Sequence, residues 1–162
     1  DKVFFEKVSI WIQDIPTFPF SQAIEICCKL KADIVSKDES DNGIRAILNF
    51  GHTVGHALEL RFGFNSLRHG EAVAFGMLCA GYVSFKLNKL DKKQFSVLEK
   101  SIRSLPLPKL KKIDIEELLA FIKRDKKIVK GELKFITLNK IGQAAIEHNV
   151  DDFILRESFK LL

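Results

Sequence analysis

The chain has 162 residues, of which 46% are hydrophobic and 29% charged, and its formal net charge is +5. This length suits one domain with a single core, and the composition is that of a globular chain rather than a disordered one. No apolar run approaches the roughly 20 residues that cross a bilayer, and the charged opening lacks a signal-peptide pattern, so we expect no membrane partner.

Lysines supply much of the positive charge and cluster in residues 86–93 and 123–134. These stretches lack interleaved aromatic residues and match no nucleic-acid-binding motif, so we expect no nucleic-acid partner. Two interpretations stay open, a solvated basic face and a pocket for an anionic small molecule.

Apolar residues recur at helical spacing from the first residues onward. A short amphipathic helix is expected over residues 2–12, and the prolines within residues 14–20 break it. The pattern then predicts a helix over residues 21–39, with Ser21 as its N-cap, and one continuous helix over residues 44–61.

The next predicted helix, residues 71–87, is unusually rich in small side chains. Ala72, Gly76 and Ala80 lie four residues apart, so they share one face. Glycine costs a helix about 1 kcal/mol relative to alanine, and close packing against another backbone would compensate for it. We therefore expect a second segment to approach this face closely.

The remaining pattern predicts two more helices, a β-hairpin and a terminal helix. The first helix begins near Asp91 and the second has Asp114 as its N-cap, while the hairpin strands lie in residues 132–138 and 143–149 and the last helix in residues 151–162. The predicted fold, over residues 1–162, is a mostly α-helical, multi-helix domain with one small β-hairpin.

Cysteine usage indicates a reducing compartment. The three cysteines are Cys27, Cys28 and Cys79; their number is odd, two are adjacent, and none forms a CxxC pair. This pattern suits neither a disulfide framework nor a structural zinc site. We expect buried thiols in a cytoplasmic protein.

A stripe of polar residues runs along the helix predicted over residues 44–61. At about 100° per residue, its five members lie close to one line, whereas apolar residues cover most of the remaining surface. A polar strip on so apolar a helix indicates an internal cleft rather than a solvated face. The five are Arg45, Asn49, His52, His56 and Glu59.

Histidines near this stripe indicate a metal site. His52 and His56 are one helical turn apart, but Thr53 stands where a zinc protease has its catalytic glutamate, so that class is excluded. His69 is expected at the N-cap of the next helix, where the helix dipole favours the neutral imidazole that binds metals. An alternative is histidines satisfied by backbone carbonyls, and His148 is expected at the surface.

A catalytic zinc requires three protein ligands and one open position. His52 and His69 offer two, whereas Glu59 and Glu71 each fit poorly as the third. The sequence therefore predicts an incomplete metal site.

Two motifs, residues 48–59 (LNFGHTVGHALE) and 69–77 (HGEAVAFGM), resemble the signature pair of the 3-dehydroquinate synthase family. Residues 27–52 and 124–138 are also similar to that family. The resemblance implies that residues 1–162 are its helical C-terminal metal- and substrate-binding domain, without the N-terminal Rossmann-like domain that binds NAD. It also implies a homodimer when full length.

The family's activity would be that of an NAD-dependent lyase with zinc or cobalt. Its substrate is a sugar-acid phosphate, 3-deoxy-D-arabino-heptulosonate 7-phosphate, and its products are 3-dehydroquinate and phosphate, within the shikimate pathway. The resemblance implies a transient oxidation, phosphate elimination, reduction and an aldol ring closure. Alternatives are another sugar-phosphate cyclase, a glycerol-dehydrogenase-like enzyme and a non-catalytic helical module.

Carried over by position, the resemblance makes His52 and His69 metal ligands. The family's third ligand is a glutamate that would precede residue 1, so we expect the 162 residues alone to be inactive and to bind metal weakly. Glu59 is expected to support the site without binding substrate.

The substrate-contacting residues follow from the same resemblance. Arg45 would bind the carboxylate, and Asn49 and His56 would contact the phosphate or nearby hydroxyls. Lys31 matches an active-site lysine, and Lys126 matches a phosphate-binding lysine, with Lys127 as an alternative in register.

Overall fold

The computed structural model describes residues 1–40, 43–63, 66–128 and 134–162, with the side chains of 125–128 excepted. Within these residues the predicted fold class is confirmed: the chain is mostly helical with one antiparallel hairpin. No helix in the described ranges has the length and apolar character to cross a membrane. The helices are α1 (Lys2–Trp11), α2 (Phe20–Val35), α3 (His52–Phe62), α4 (His69–Lys86), α5 (Lys92–Arg103), α6 (Ile115–Ile128) and α7 (Asp152–Phe159), with 3₁₀ turns at Ile15–Thr17 and Ile44–Asn49; the strands are β1 (Phe135–Lys140) and β2 (Gln143–Glu147).

Helix α4 lies at the centre of the domain. It packs against α3, α5, α7 and β1, and most of its residues are buried. Such an element must be apolar on all sides, which explains why its sequence shows no polar face. Large core side chains from the surrounding elements are Val54, Leu58, Leu118, Ile122, Phe135 and Leu155.

The small residues of α4 let α3 approach closely, as predicted. A Cβ atom added at Gly76 would overlap the carbonyl oxygen of Gly51 and lie 2.9 Å from the nitrogen of Gly55. One added at Gly55 would lie 3.2 Å from the backbone of Val73. The backbones of α3 and α4 are therefore in direct contact, and this contact fixes the spacing of the side chains that project beside it.

One predicted N-cap, Asp114, is confirmed, whereas two, Ser21 and His69, are wrong, since α4 has Arg68 as its N-cap. Asp91 was predicted only as the start of a helix, and it caps α5. The carboxylate of Asp91 accepts from the backbone N–H of Gln94 at 2.7 Å, and that of Asp114 accepts from Glu116 N–H at 2.9 Å. Helix α2 begins at Phe20, one residue before the predicted cap Ser21.

The continuous helix predicted over residues 44–61 is wrong. Residues Ile44–Asn49 form a 3₁₀ helix, Phe50 is extended (φ −56°, ψ 121°), and Gly51 adopts φ +85° before α3 begins at His52. A left-handed conformation costs any residue with a Cβ, so glycine is the residue that allows this break. Arg45 and Asn49 therefore do not continue the polar line of α3.

The expectation of buried thiols holds for one cysteine only. Cys27 and Cys28 are exposed on α2, whose buried residue is Ala23, so that prediction was wrong for both. Cys79 lies in the core of α4, where burial raises the pKa of its thiol to about 12.

Candidate active site

Three imidazoles converge beside the contact between α3 and α4. The ring centroids of His52 and His69 are 5.3 Å apart, those of His52 and His56 are 5.5 Å apart, and those of His56 and His69 are 6.0 Å apart. His52 and His56 lie one turn apart on α3. His69 is the first residue of α4 rather than its predicted N-cap, which is Arg68. The structure thus brings together the three histidines that the sequence singled out.

A buried carboxylate lies beneath the imidazoles. Glu59 is only 4% exposed, and its Oε1 is 2.9 Å from Nδ1 of His69. Because a carboxylate accepts hydrogen bonds, this contact favours a proton on Nδ1 and leaves Nε2 of His69 free to bind a metal. The predicted supporting role of Glu59 agrees with this geometry.

His52 is set apart from the other two imidazoles by its surroundings. Burial lowers its pKa from the usual value, the Phe50 carbonyl 3.4 Å from Nδ1 opposes that shift, and positive charge on His56 or His69 would add to it. Neutral imidazole is the form that binds a metal, so partial burial favours the ligating state.

Glu71 caps the start of α4 and does not contact the histidines through any hydrogen bond among the described residues. One of its carboxylate oxygens accepts from the backbone N–H of Arg68 at 2.8 Å, which stabilises the first turn of α4. The sequence-based judgement that Glu71 fits poorly as a ligand is consistent with this bond.

The predicted substrate contacts lie on other elements. Arg45 follows the loop after α2, and its Nη1 donates to the carbonyl of Glu39 at 2.9 Å. Asn49 is exposed at the end of the same 3₁₀ helix, and Lys31 is exposed on α2, which packs against that helix. Among the described side chains, no hydrogen bond or ion pair joins these three residues to the histidines.

The remaining predicted contact is Lys126. Its backbone lies in α6, but its side chain, like that of Lys127, lies outside the described residues.

The ligand chemistry at the cluster suits a transition metal. Ligating atoms of His56, Glu59 and His69 all lie within 4.8 Å of one another. Imidazole nitrogen and carboxylate oxygen are ligands that zinc and cobalt accept. Glu59 lies three residues from His56, which puts both side chains on one face of α3.

Comparison with known protein families identifies the family of this chain. The profile of the 3-dehydroquinate synthase C-terminal family matches residues 1–128. The chain belongs to this family.

Relatives named 3-dehydroquinate synthase agree with the family assignment. One from Colwellia psychrerythraea is 40% identical over 97% of this chain and 46% of its own length. Another, from Neisseria meningitidis serogroup C, is 40% identical over 88% of this chain and 40% of its own length. The chain thus spans less than half the length of these family members.

Solved structures show the same fold in related cyclases. A 2-epi-5-epi-valiolone synthase from Streptomyces hygroscopicus, with NAD⁺ and Zn²⁺ bound, matches with a TM-score of 0.76 at 18% identity, covering 86% of this chain and 39% of that one. A 2-deoxy-scyllo-inosose synthase complexed with carbaglucose-6-phosphate, NAD⁺ and Co²⁺ matches with a TM-score of 0.69 at 25% identity, covering 86% of this chain and 40% of that one.

Proposed function

We propose that this chain is the metal- and substrate-binding part of an enzyme that converts 3-deoxy-D-arabino-heptulosonate 7-phosphate to 3-dehydroquinate and phosphate. The family match supports this proposal, and the convergence of His52, His56 and His69 beside the α3–α4 contact carries it. Imidazole nitrogens and carboxylate oxygens are the ligand types that catalytic metal sites use, so their convergence here supports a metal-dependent reaction.

In this proposal His52 and His69 hold the metal, and residues of the full-length protein outside this chain complete the site and bind NAD. A bound zinc or cobalt ion would polarise a substrate oxygen, and NAD would accept and return a hydride. Glu59 holds His69 through Nδ1 and so orients Nε2 toward the ion.

The chain's own residues would bind and orient the substrate. Arg45 presents a guanidinium with five donors, of which one is engaged by the Glu39 carbonyl, so others are available for a carboxylate. Lys126 would hold the phosphate, Asn49 and His56 would contact the phosphate or nearby hydroxyls, and Lys31 would serve as a further active-site lysine. We further propose a cytoplasmic homodimer that binds neither nucleic acid nor membrane.

The direct test is substrate turnover by the full-length protein that contains these 162 residues. We expect phosphate release from the sugar-acid phosphate, loss of release when the metal is chelated, and recovery when zinc or cobalt is restored. Replacement of Arg45 by alanine removes charge-assisted hydrogen bonds worth about 1.5–3 kcal/mol, or roughly 10- to 150-fold in kcat/KM. Arg45→Lys keeps the charge but loses the planar fork and should recover only part of the activity.

A second candidate is another sugar-phosphate cyclase, which the likeness to the two solved cyclase structures favours. Turnover of a non-acidic sugar phosphate, with none of the acid substrate, would replace the first proposal by this one. If the full-length protein turned over neither substrate while metal still bound, a non-catalytic helical module would be the better account.

A further inference from the structure

We propose that Asp38 is a positioning residue, which holds Arg45 in the place where it binds the carboxylate of the substrate. This role rests on the proposed function, which gives Arg45 its ligand. Asp38 is half-buried in the loop between α2 and the 3₁₀ helix Ile44–Asn49, and it is not among the site residues predicted from the sequence. Its hydrogen bonds indicate the role.

One carboxylate oxygen of Asp38 caps the start of the 3₁₀ helix. Its Oδ2 accepts from the backbone N–H of Gly43 at 2.8 Å and from that of Arg45 at 2.9 Å. The first N–H groups of a helix have no partner within the helix, and the side chain of the N-cap residue usually supplies one. The N-cap here is Gly43, which has no side chain, so Asp38 supplies the acceptor from outside the helix.

The backbone of Asp38 is attached to the other side of the loop. Its N–H donates to the carbonyl of Val35, in the last turn of α2, at 3.1 Å. Asp38 therefore connects the end of α2 to the start of the 3₁₀ helix. Helix α2 carries Lys31, and the 3₁₀ helix carries Arg45 and Asn49, so this connection joins the two elements that carry three of the predicted substrate contacts.

Arg45 is held at two points. Its backbone N–H is bonded to Asp38, and its Nη1 donates to the carbonyl of Glu39 at 2.9 Å. A long side chain loses rotamer freedom when it binds a ligand, and a side chain that is already fixed loses less. Removal of the Asp38 carboxylate releases the start of the 3₁₀ helix from the loop and displaces Arg45 from the Glu39 carbonyl. The guanidinium would then bind the substrate carboxylate at a greater entropic cost.

The alternative is a cap that stabilises the loop and has no bearing on the substrate. The two roles differ once the Arg45 side chain is removed. A residue that acts through Arg45 then has no further effect on turnover, whereas a purely structural cap lowers turnover by the same factor in either background.

The test is steady-state phosphate release from the sugar-acid phosphate by the full-length protein. The variants are Asp38→Ala, Asp38→Asn, Arg45→Ala and the double variant Asp38→Ala/Arg45→Ala. Asparagine keeps an oxygen acceptor at the same position, and it caps helices about as well as aspartate does. The metal content and the urea midpoint of each variant report metal binding and folding.

Asp91→Ala is the matched control. The carboxylate of Asp91 accepts from the backbone N–H of Gln94 at 2.7 Å and caps α5, which carries none of the predicted site residues. Its replacement removes a helix cap of the same kind at a distance from the proposed substrate contacts. The kcat/KM of Asp91→Ala should therefore equal that of the wild type.

We expect Asp38→Ala to lower kcat/KM by about 5- to 30-fold, the range that corresponds to the loss of a helix cap. Most of the loss should be a higher KM, because Arg45 binds a group of the substrate in the ground state as well as in the transition state. Asp38→Asn should recover most of the activity. In the Arg45→Ala background, Asp38→Ala should cost no more than about twofold. The metal content should stay at the wild-type value in each variant.

Three outcomes would overturn the inference and leave the proposed function in place. They are a wild-type kcat/KM in Asp38→Ala, a loss in the Arg45→Ala background as large as that in the wild-type background, and a lower metal content in Asp38→Ala. If Asp38→Ala does not fold, Asp38→Glu replaces it in the same comparison, because the longer side chain keeps the charge but displaces the oxygen from both N–H groups. No turnover by the wild-type protein would overturn the proposed function and this role of Asp38 together.

Discussion

Replacement of Gly76 by alanine tests whether backbone contact between α3 and α4 supports the fold. The added Cβ would lie 2.9 Å from the carbonyl carbon of Gly51 and the nitrogen of Gly55, and closer still to the Gly51 oxygen. Ordinary contact requires 3.4 Å or more, so the helices must separate locally or the break at Gly51 must shift. Neither neighbour is a flexible side chain that could rotate away.

The size of the effect follows from two opposing terms. Overpacking costs about 1–3 kcal/mol, and a rigid backbone obstacle places this site at the upper end. Alanine improves helix propensity by about 1 kcal/mol relative to glycine. We expect a net loss of about 2 kcal/mol in the free energy of unfolding, or a fall of about 1 M in the urea midpoint for an m-value near 2 kcal/mol/M.

The assay is urea unfolding followed by far-ultraviolet circular dichroism. Gly70→Ala is the matched control because Gly70 lies on the same helix and a Cβ there would meet nothing within 4 Å. Its stability should rise by up to about 1 kcal/mol through helix propensity. If Gly76→Ala unfolded at the same urea concentration as wild type or higher, close backbone packing would not be the reason for glycine at this position.

Two further experiments, one chemical modification and one substitution, test the burial of side chains on α4. A thiol reagent at neutral pH should modify Cys27 and Cys28 but not Cys79 in the folded chain, because burial raises the pKa of the Cys79 thiol to about 12. Three reactive thiols before unfolding would contradict that burial. Ser84→Ala should lower the free energy of unfolding by about 1–2 kcal/mol, measured by thermal unfolding. The buried Ser84 hydroxyl accepts from Leu138 N–H at 2.9 Å, and its loss leaves that donor unpaired. An unchanged melting temperature would show that the donor finds another partner.

The sequence predicted helices, hairpin and close packing well because each has a local cause. Helical periodicity identified α4 and α5, and carboxylates at Asp91 and Asp114 marked helix starts that the backbone confirms. The small-residue face around Gly76 predicted the approach of another backbone without saying which one. The approaching segment, at Gly51 and Gly55, could not be predicted because its contact with α4 is tertiary, and no local sequence pattern encodes such a contact.

The errors share a different cause. Cys27 and Cys28 follow an apolar helical pattern, but exposure depends on what α2 packs against, and its buried residue among those described is Ala23. Helical periodicity shows that one face of a helix is apolar, but it does not show whether another element packs against that face. Burial of these thiols could not be derived from the sequence alone.

Gly51 accounts for both the largest error and the geometry of the site. A helix that continued through Gly51 would place Arg45 and Asn49 in line with the histidines. The actual break at φ +85° starts α3 at His52 and brings the Gly51 carbonyl against Gly76 of α4. Because α4 begins at His69, the same contact that ends the polar line also brings His69 to the imidazoles of α3. A continuous helix would have kept the predicted line, but it would have lost the Gly51 contact that positions α4 and its first histidine.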